Sequence, residues 1–265
     1  MIETASEPKP SFKPDGFGDR AKLGLVYIAS SVVMEPELYS MSPAGVSWHA
    51  SRLHLPKVTV AGIDEMMRAP QLETAIRLLA EAPLDVIAFG GTSASFLHGT
   101  AWDRGLVASM AEWAPGITPT TASTAVLAAL ESVGAGPVAM ATPYTEDIDR
   151  LGIRFLGENG HEVVSSRGLG ISGDLELALV SPETVFDLAV SVDVAEATAL
   201  FISCTNLRTI ATIAALEDRL GKPVISAVQA TGWHAMRLAG IDDQIDGYGS
   251  LLGLPLPRRS EHGST

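Results

Sequence analysis

A single cysteine, Cys204, is the only thiol in the 265-residue sequence, so it either fills core space or does chemistry. It ends an apolar run, ATALFIS at 197–203, and precedes Thr205, Asn206 and a helical pattern. Backbone N–H groups and a helix N-terminus placed there would stabilise a thiolate. A second cluster, Thr92 and Ser93, follows an apolar run ending in Gly90 and Gly91. Glycines let the backbone come close to a ligand, and hydroxyls beside them suit a carboxylate or an enolate-like oxyanion. The same two residue types also make an ordinary helix N-cap. Tyr144 closes a third run, PVAMATPY at 137–144, where a phenol either donates to an oxyanion or caps a core.

Other polar residues carry less. His49, His54, His98, His161, His234 and His262 show no metal-ligand spacing, and no metal is assigned. Asp147 and Asp149 fall in the first turn of a predicted helix, where acids favour the positive end of the dipole. Gly168-Leu-Gly-Ile-Ser-Gly173 lacks both the preceding strand of a dinucleotide fingerprint and the lysine ending of a phosphate loop. It reads as a flexible loop near a cleft.

The elements that must position these groups follow from periodicity. Short apolar runs at 24–30 and 85–91 alternate with helical patterns at 71–82 and 106–114. The second half repeats this, with strands at 137–144 and 197–203 and helices at 147–160 and 210–221, the latter two stopped by Gly160 and Gly221. Such alternation predicts an α/β fold built on parallel sheets. The halves also match in detail, because Val86-Ile-Ala-Phe-Gly-Gly-Thr-Ser93 parallels Ala199-Leu-Phe-Ile-Ser-Cys-Thr-Asn206, setting Gly91 opposite Cys204. Ligands in parallel sheets bind beyond the carboxyl ends of strands. Two pseudo-symmetric Rossmann-like halves therefore predict one small cleft between them. The predicted division is a flexible arm at 1–22, a first half at 23–130 and 222–250, a second half at 131–221, and a flexible tail at 251–265.

Composition bounds the partners. With 46% apolar residues the chain can bury a large core. A formal charge of −13 argues against nucleic acid and anionic membranes. The polar N-terminal stretch has no signal-peptide apolar region, and no run approaches the ~20 residues of a membrane helix, so a soluble cytoplasmic protein is expected. The number of subunits is left open.

From about Leu23 to Gly249 the sequence resembles the arylmalonate decarboxylase and maleate cis–trans isomerase branch of the aspartate/glutamate racemase superfamily. The motifs that carry the resemblance are Gly91-Thr-Ser-Ala-Ser-Phe96, Ser123-Thr-Ala-Val126, Ala141-Thr-Pro-Tyr144, Gly168-Leu-Gly-Ile171 and Ser203-Cys-Thr-Asn206. Racemases and isomerases of this superfamily typically use two cysteines, one from each half. Here Gly91 stands at the first-half position, as in the decarboxylases, and Val32 stands where isomerases carry a carboxylate-binding asparagine. In contrast, Val46-Ser-Trp-His-Ala-Ser-Arg52 and Cys204-Thr-Asn-Leu-Arg-Thr209 look more like the isomerases. Asp174-Leu-Glu-Leu177 lies where the decarboxylases place apolar pocket residues, which implies a smaller or more polar substrate.

The resemblance implies a carboxy-lyase that needs no cofactor and acts on a small-molecule, malonate-type dicarboxylate. Cys204 would protonate an enediolate held by Thr92, Ser93, Tyr144 and Thr205, in a pocket that also includes Gly91, Pro143, Asp174, Leu177 and Asn206. The alternatives are a maleate-type isomerase or racemase-like enzyme, and a binding protein that keeps the cleft without turnover.

Overall fold

The computed structural model describes residues 16–55 and 57–257. The first half runs β1 (Ala21–Ile28), α1 (Met34–Met41), β2 (Val46–Leu53), α2 (Val60–Arg68), α3 (Gln71–Leu79), β3 (Val86–Gly90), α4 (Thr92–Phe96), α5 (Thr100–Trp113), β4 (Thr118–Thr121) and α6 (Ala122–Ser132). The second runs β5 (Val138–Thr142), α7 (Glu146–Glu158), β6 (Val163–Gly168), α8 (Asp174–Ala178), α9 (Pro182–Val192), β7 (Ala199–Ile202), α10 (Ile210–Leu220), β8 (Val224–Ser226) and α11 (Ala227–Leu238). A 3-10 turn at Leu251–Gly253 follows.

Each half is a four-stranded parallel sheet, ordered β2-β1-β3-β4 in one and β6-β5-β7-β8 in the other. The two orders are the same permutation, which is the expected pseudo-symmetry. β3 and β7 are buried along their whole length, which is why both read as unbroken apolar runs. In each order the direction of winding reverses between the first and third strands, and the crevice for a ligand opens there. The register brings Tyr27 beside Gly90 and Ala141 beside Ile202, so these central strands end together.

The chain crosses between halves through α6, after β4, and α11, after β8, and these two helices pack on each other. Ser226 starts α11 with a reciprocal capping box to Gln229. The return to the first half comes later than the 221/222 boundary read from sequence. Val224, Ile225 and Ser226 pair with Leu200, Phe201 and Ile202 and complete the second sheet. Three residues are too few to leave a period-2 pattern.

Both predicted flexible ends also begin farther out. Ala21 and Lys22 belong to β1, and Arg20 is paired with Asp243 at 2.5 Å. Leu251 and Leu252 are fully buried, and Trp233 Nε1 and Arg237 Nε each donate to the Leu254 carbonyl at 2.9 Å. The remainder of the predicted arm, 1–15, and of the tail, 258–265, lies outside the described residues. Among the described residues no helix is long and apolar enough to cross a membrane.

Candidate active site

Cys204 sits on the turn that follows β7 and is the one described non-glycine residue with positive φ, at 109°. A side chain held there is strained, and such strain persists only where the surroundings fix it. Three contacts do so. Ser203 N–H donates to the Ala141 carbonyl at 2.9 Å, Thr205 Oγ1 to the Gly90 carbonyl at 2.8 Å, and Asn206 N–H to Cys204 Sγ at 3.2 Å. Farther along, Thr209 N–H donates to the buried Glu37 carboxylate of α1 at 2.8 Å. The loop carrying the thiol is thus pinned to the first half through Thr205 and Thr209.

The helix that sequence placed directly after Cys204 starts only at Ile210, so its N-terminus is not the thiol's neighbour. Burial pushes the Cys204 pKa up to about 12, against the pull of Asn206 N–H and of the Tyr144 hydroxyl. Burial therefore favours the neutral thiol over the thiolate at Cys204. Burial, and then the adjacent thiol, hold the Tyr144 phenol well above its ordinary range, so it too keeps its proton.

Across the cleft, Thr92 and Ser93 occupy the first two positions of α4, whose N-cap is Gly91 without a side-chain cap bond. The capping alternative is not what these hydroxyls do. Thr92 is 3% exposed, and its Oγ1 has no hydrogen-bond partner. A native buried hydroxyl left unsatisfied calls for a ligand or a water. α4 is held from behind by Ser95, which donates to the Thr92 carbonyl at 3.0 Å and meets Ser123 Oγ at 2.6 Å. That buttress accounts for the Ser123 motif.

The third wall is Asp174, 4% exposed at the start of α8. Its Oδ2 accepts from Ser30 Oγ at 2.6 Å and from Asn206 Nδ2 at 3.0 Å, joining the β1–α1 loop to the Cys204 loop. Burial raises its pKa against both bonds. Thr205's hydroxyl is already committed to Gly90, which leaves only its backbone N–H for a ligand.

These residues enclose a cavity of about 20 Å³, lined by Gly91, Thr92, Ser93, Tyr144, Asp174, Leu177, Cys204, Thr205 and Asn206. That is little more than one water needs. Of the predicted pocket residues, Pro143 is not in the lining; its carbonyl accepts from Ile171 N–H at 2.9 Å. The glycine segment read as a flexible loop is clipped in place, with Leu169 and Gly170 N–H bonded to Thr142 and Tyr144. Its Ser172 carbonyl accepts from Val58 N–H at 2.7 Å, and Lys57 and Gly173 form an antiparallel bridge. Segments from both halves thus meet beside the cavity, which Val58 lines.

Sequence reasoning missed the lining residues Tyr27 and Ile28 at the end of β1, Ser31 beyond it, and Leu55 and Val58 after β2. The signal for the first group was present, since β1 is also an apolar strand running into Ser30 and Ser31. Arg52 fixes that loop by donating to the Ala29 and Ser31 carbonyls at 3.0 and 3.1 Å. Val32 is exposed. Asp149, read as a helix-dipole acid, is buried and accepts from Thr142 Oγ1, which in turn accepts Tyr144 N–H at 3.2 Å. It positions the Tyr144 turn. A larger depression of about 850 Å³ lies between β2, α2 and α3. It shares no residue with the Cys204 cavity and contains neither a thiol nor an unsatisfied buried hydroxyl.

The sequence profile described as arylmalonate decarboxylase matches residues 23–252. The chain is 37% identical over 206 residues to arylmalonate decarboxylase of Bordetella bronchiseptica, covering 77% of this chain and 85% of that one. It is 25% identical over 244 residues to maleate isomerase of Geobacillus stearothermophilus, covering 87% and 96%. Among solved structures, a liganded arylmalonate decarboxylase carrying glycine-to-cysteine and cysteine-to-serine substitutions superposes with a TM-score of 0.81 at 32% identity, over 87% of this chain and 98% of that one.

Proposed function

Because this chain belongs to the arylmalonate decarboxylase family, we propose that it is a carboxy-lyase that removes one carboxylate from a malonate-type dicarboxylate without a cofactor. One observation carries the reading. The buried Cys204 thiol lines the same cavity as Thr92, whose buried hydroxyl has no hydrogen-bond partner.

The substrate's retained carboxylate accepts from Thr92, Ser93 and Tyr144. The bond from the α-carbon to the other carboxylate breaks, and its electron pair passes into the retained carboxylate as carbon dioxide leaves. Poor solvation of the departing anion in a cavity walled by Leu55, Val58 and Leu177 favours that loss. The enediolate so formed carries its charge on the oxygens facing the same donors, which bind it more tightly than they bind the ground state. Cys204 Sγ–H then gives its proton to the α-carbon, and the thiolate takes one back from water. The sum is one proton consumed and one carbon dioxide released. Protonation from a single face yields one enantiomer.

Carbon dioxide release from a set of disubstituted malonates, followed by NMR in deuterium oxide, tests the reading. Release with one deuterium placed at the α-carbon supports it. The second reading, a maleate-type isomerase, draws on the 25% identity to a maleate isomerase over nearly the whole chain. The same NMR tubes containing maleate reveal it by fumarate. Calorimetric heat without any product marks a binding protein.

A further inference from the structure

The Asn206 amide orientation is fixed by its neighbours. Nδ2 donates to the Asp174 main-chain carbonyl at 2.8 Å and to Asp174 Oδ2 at 3.0 Å. The flipped amide would set its oxygen against both of those oxygens, so Oδ1 is the atom left over, and it is buried with no partner. Asn206 is 3% exposed and lines the cavity beside Asp174. This wall therefore consists of acceptors: an amide oxygen that is unsatisfied and a carboxylate taken out of water.

Such a wall discriminates among ligands. An aryl ring against it leaves the amide oxygen unsatisfied, and a second carboxylate meets like charge at close range. A hydroxyl or ammonium group satisfies it. We propose that Asp174 and Asn206 form the specificity wall of this site and that it takes substrates bearing a hydrogen-bond donor, an α-hydroxyl or α-amino group, in place of an aryl ring. This rests on the malonate reading of the cavity and narrows it. The chemistry is unchanged: the same carbon–carbon bond breaks and the same proton is delivered, while the donor group stays bound to the wall.

Two independent measurements test the proposal. The first is calorimetric binding of two monocarboxylates that no decarboxylase step can consume, 2-hydroxypropanoate and 2-phenylpropanoate. Loss of a hydrogen bond to an otherwise unsatisfied buried acceptor corresponds to roughly a 10-fold change in affinity. Wild-type protein is expected to favour the hydroxy acid by at least ~10-fold, and Asn206→Ala to lose that preference while binding the phenyl acid no less well. The backbone N–H that contacts Cys204 is unaffected by this change. If Asn206→Ala does not fold, as read by circular dichroism, the wild-type preference decides alone. Equal or tighter wild-type binding of 2-phenylpropanoate overturns the proposal.

The second measurement is carbon dioxide release from 2-hydroxy-2-methylmalonate and 2-methyl-2-phenylmalonate. Release from neither, with the hydroxy acid bound preferentially, removes the decarboxylase reading and leaves the wall standing. Faster release from the phenyl compound removes the wall and leaves the decarboxylase.

Discussion

Thr205 donates its hydroxyl to the carbonyl of Gly90 at 2.8 Å, tying the turn that bears Cys204 to the strand end that carries Thr92. The proposed acid and the proposed anion site belong to different halves, and this bond joins the segments that carry them. Thr205→Val removes the donor and leaves a buried carbonyl unsatisfied, at a cost of about 1–3 kcal/mol. Denaturant unfolding is expected to show that loss, accompanied by a fall in kcat larger than any change in KM. Unchanged kcat in a folded variant would show that the bond has no part in aligning the two groups.

Replacing Cys204 by alanine is expected to lower turnover by at least ~10²-fold, the usual contribution of a general acid. Serine should hardly rescue it, because a hydroxyl is a far weaker acid than a thiol. The φ of 109° adds a second expectation. Alanine keeps the strain and glycine relieves it, so Cys204→Gly should be inactive yet at least as thermally stable as Cys204→Ala. A Cys204→Ala variant near wild-type activity on the identified substrate contradicts the role assigned to the thiol.

Thr92 separates catalysis from stability. Its hydroxyl has no protein partner, so Thr92→Val should leave the melting temperature unchanged or raise it. kcat should nevertheless fall by the equivalent of about 2–4 kcal/mol of barrier, and Tyr144→Phe should act alike. A raised KM with constant kcat would instead make these groups plain carboxylate anchors.

Gly91 is the counterpart of Cys204 in the other half. Its φ of −125° is open to any residue, so a tight turn is not what demands glycine there. A Cβ at that position would lie 2.6 Å from Cζ of the buried Phe89. Gly91→Cys is therefore expected to destabilise the fold by about 1–3 kcal/mol through overpacking. Phe89→Leu in the same chain should recover part of that. With a thiol on both faces of the carbanion, the double variant is expected to racemise a 2-substituted carboxylate product in deuterium oxide with deuterium uptake. A folded variant showing neither racemisation nor exchange counts against thiols on opposite faces.

Glu37 gives stability a pH dependence. Burial raises its pKa from 4.5 to about 7, against its bonds to Thr209 and Ile210 and the charge of Arg208. Between those two values the folded protein holds a proton that the unfolded chain has released. Stability from this group is thus full below about pH 4.5, falls as pH rises, and levels off above about 7. The loss is of order 1–3 kcal/mol. Asp149, raised by burial to about 6, slopes the same way, while His234, lowered by burial to about 4, slopes the opposite way below its ordinary value. Glu37→Gln should remove its share, seen as a wild-type-minus-variant difference in unfolding midpoint that changes between pH 5 and pH 8. A constant difference would place Glu37's titration elsewhere.

The single cysteine, the two matching apolar runs ending in Gly91 and Cys204, and the alternation of short strands with helices were legible because each is local. Strand burial writes itself as an unbroken apolar run, and a strand end running into small polar residues marks where a ligand can reach. Those features sufficed for the parallel α/β class, the two halves and the strand ends carrying Gly91, Thr92, Ser93, Tyr144 and Cys204, while Asp174 and Leu177 came from the family resemblance. They did not give β8, whose three residues carry no period, or β2, an edge strand whose His49 and Arg52 interrupt the apolar pattern. Nor could local pattern assign the protonation of Cys204. Sequence placed a helix N-terminus beside the thiol, which could stabilise a thiolate, whereas in the fold that helix starts at Ile210 and burial raises the pKa. Likewise the unsatisfied Thr92 hydroxyl and the acceptor wall of Asp174 and Asn206 arise from the packing of segments distant in sequence. Desolvation and hydrogen-bond pairing depend on which distant segments meet, and that information appears only when the chain is folded.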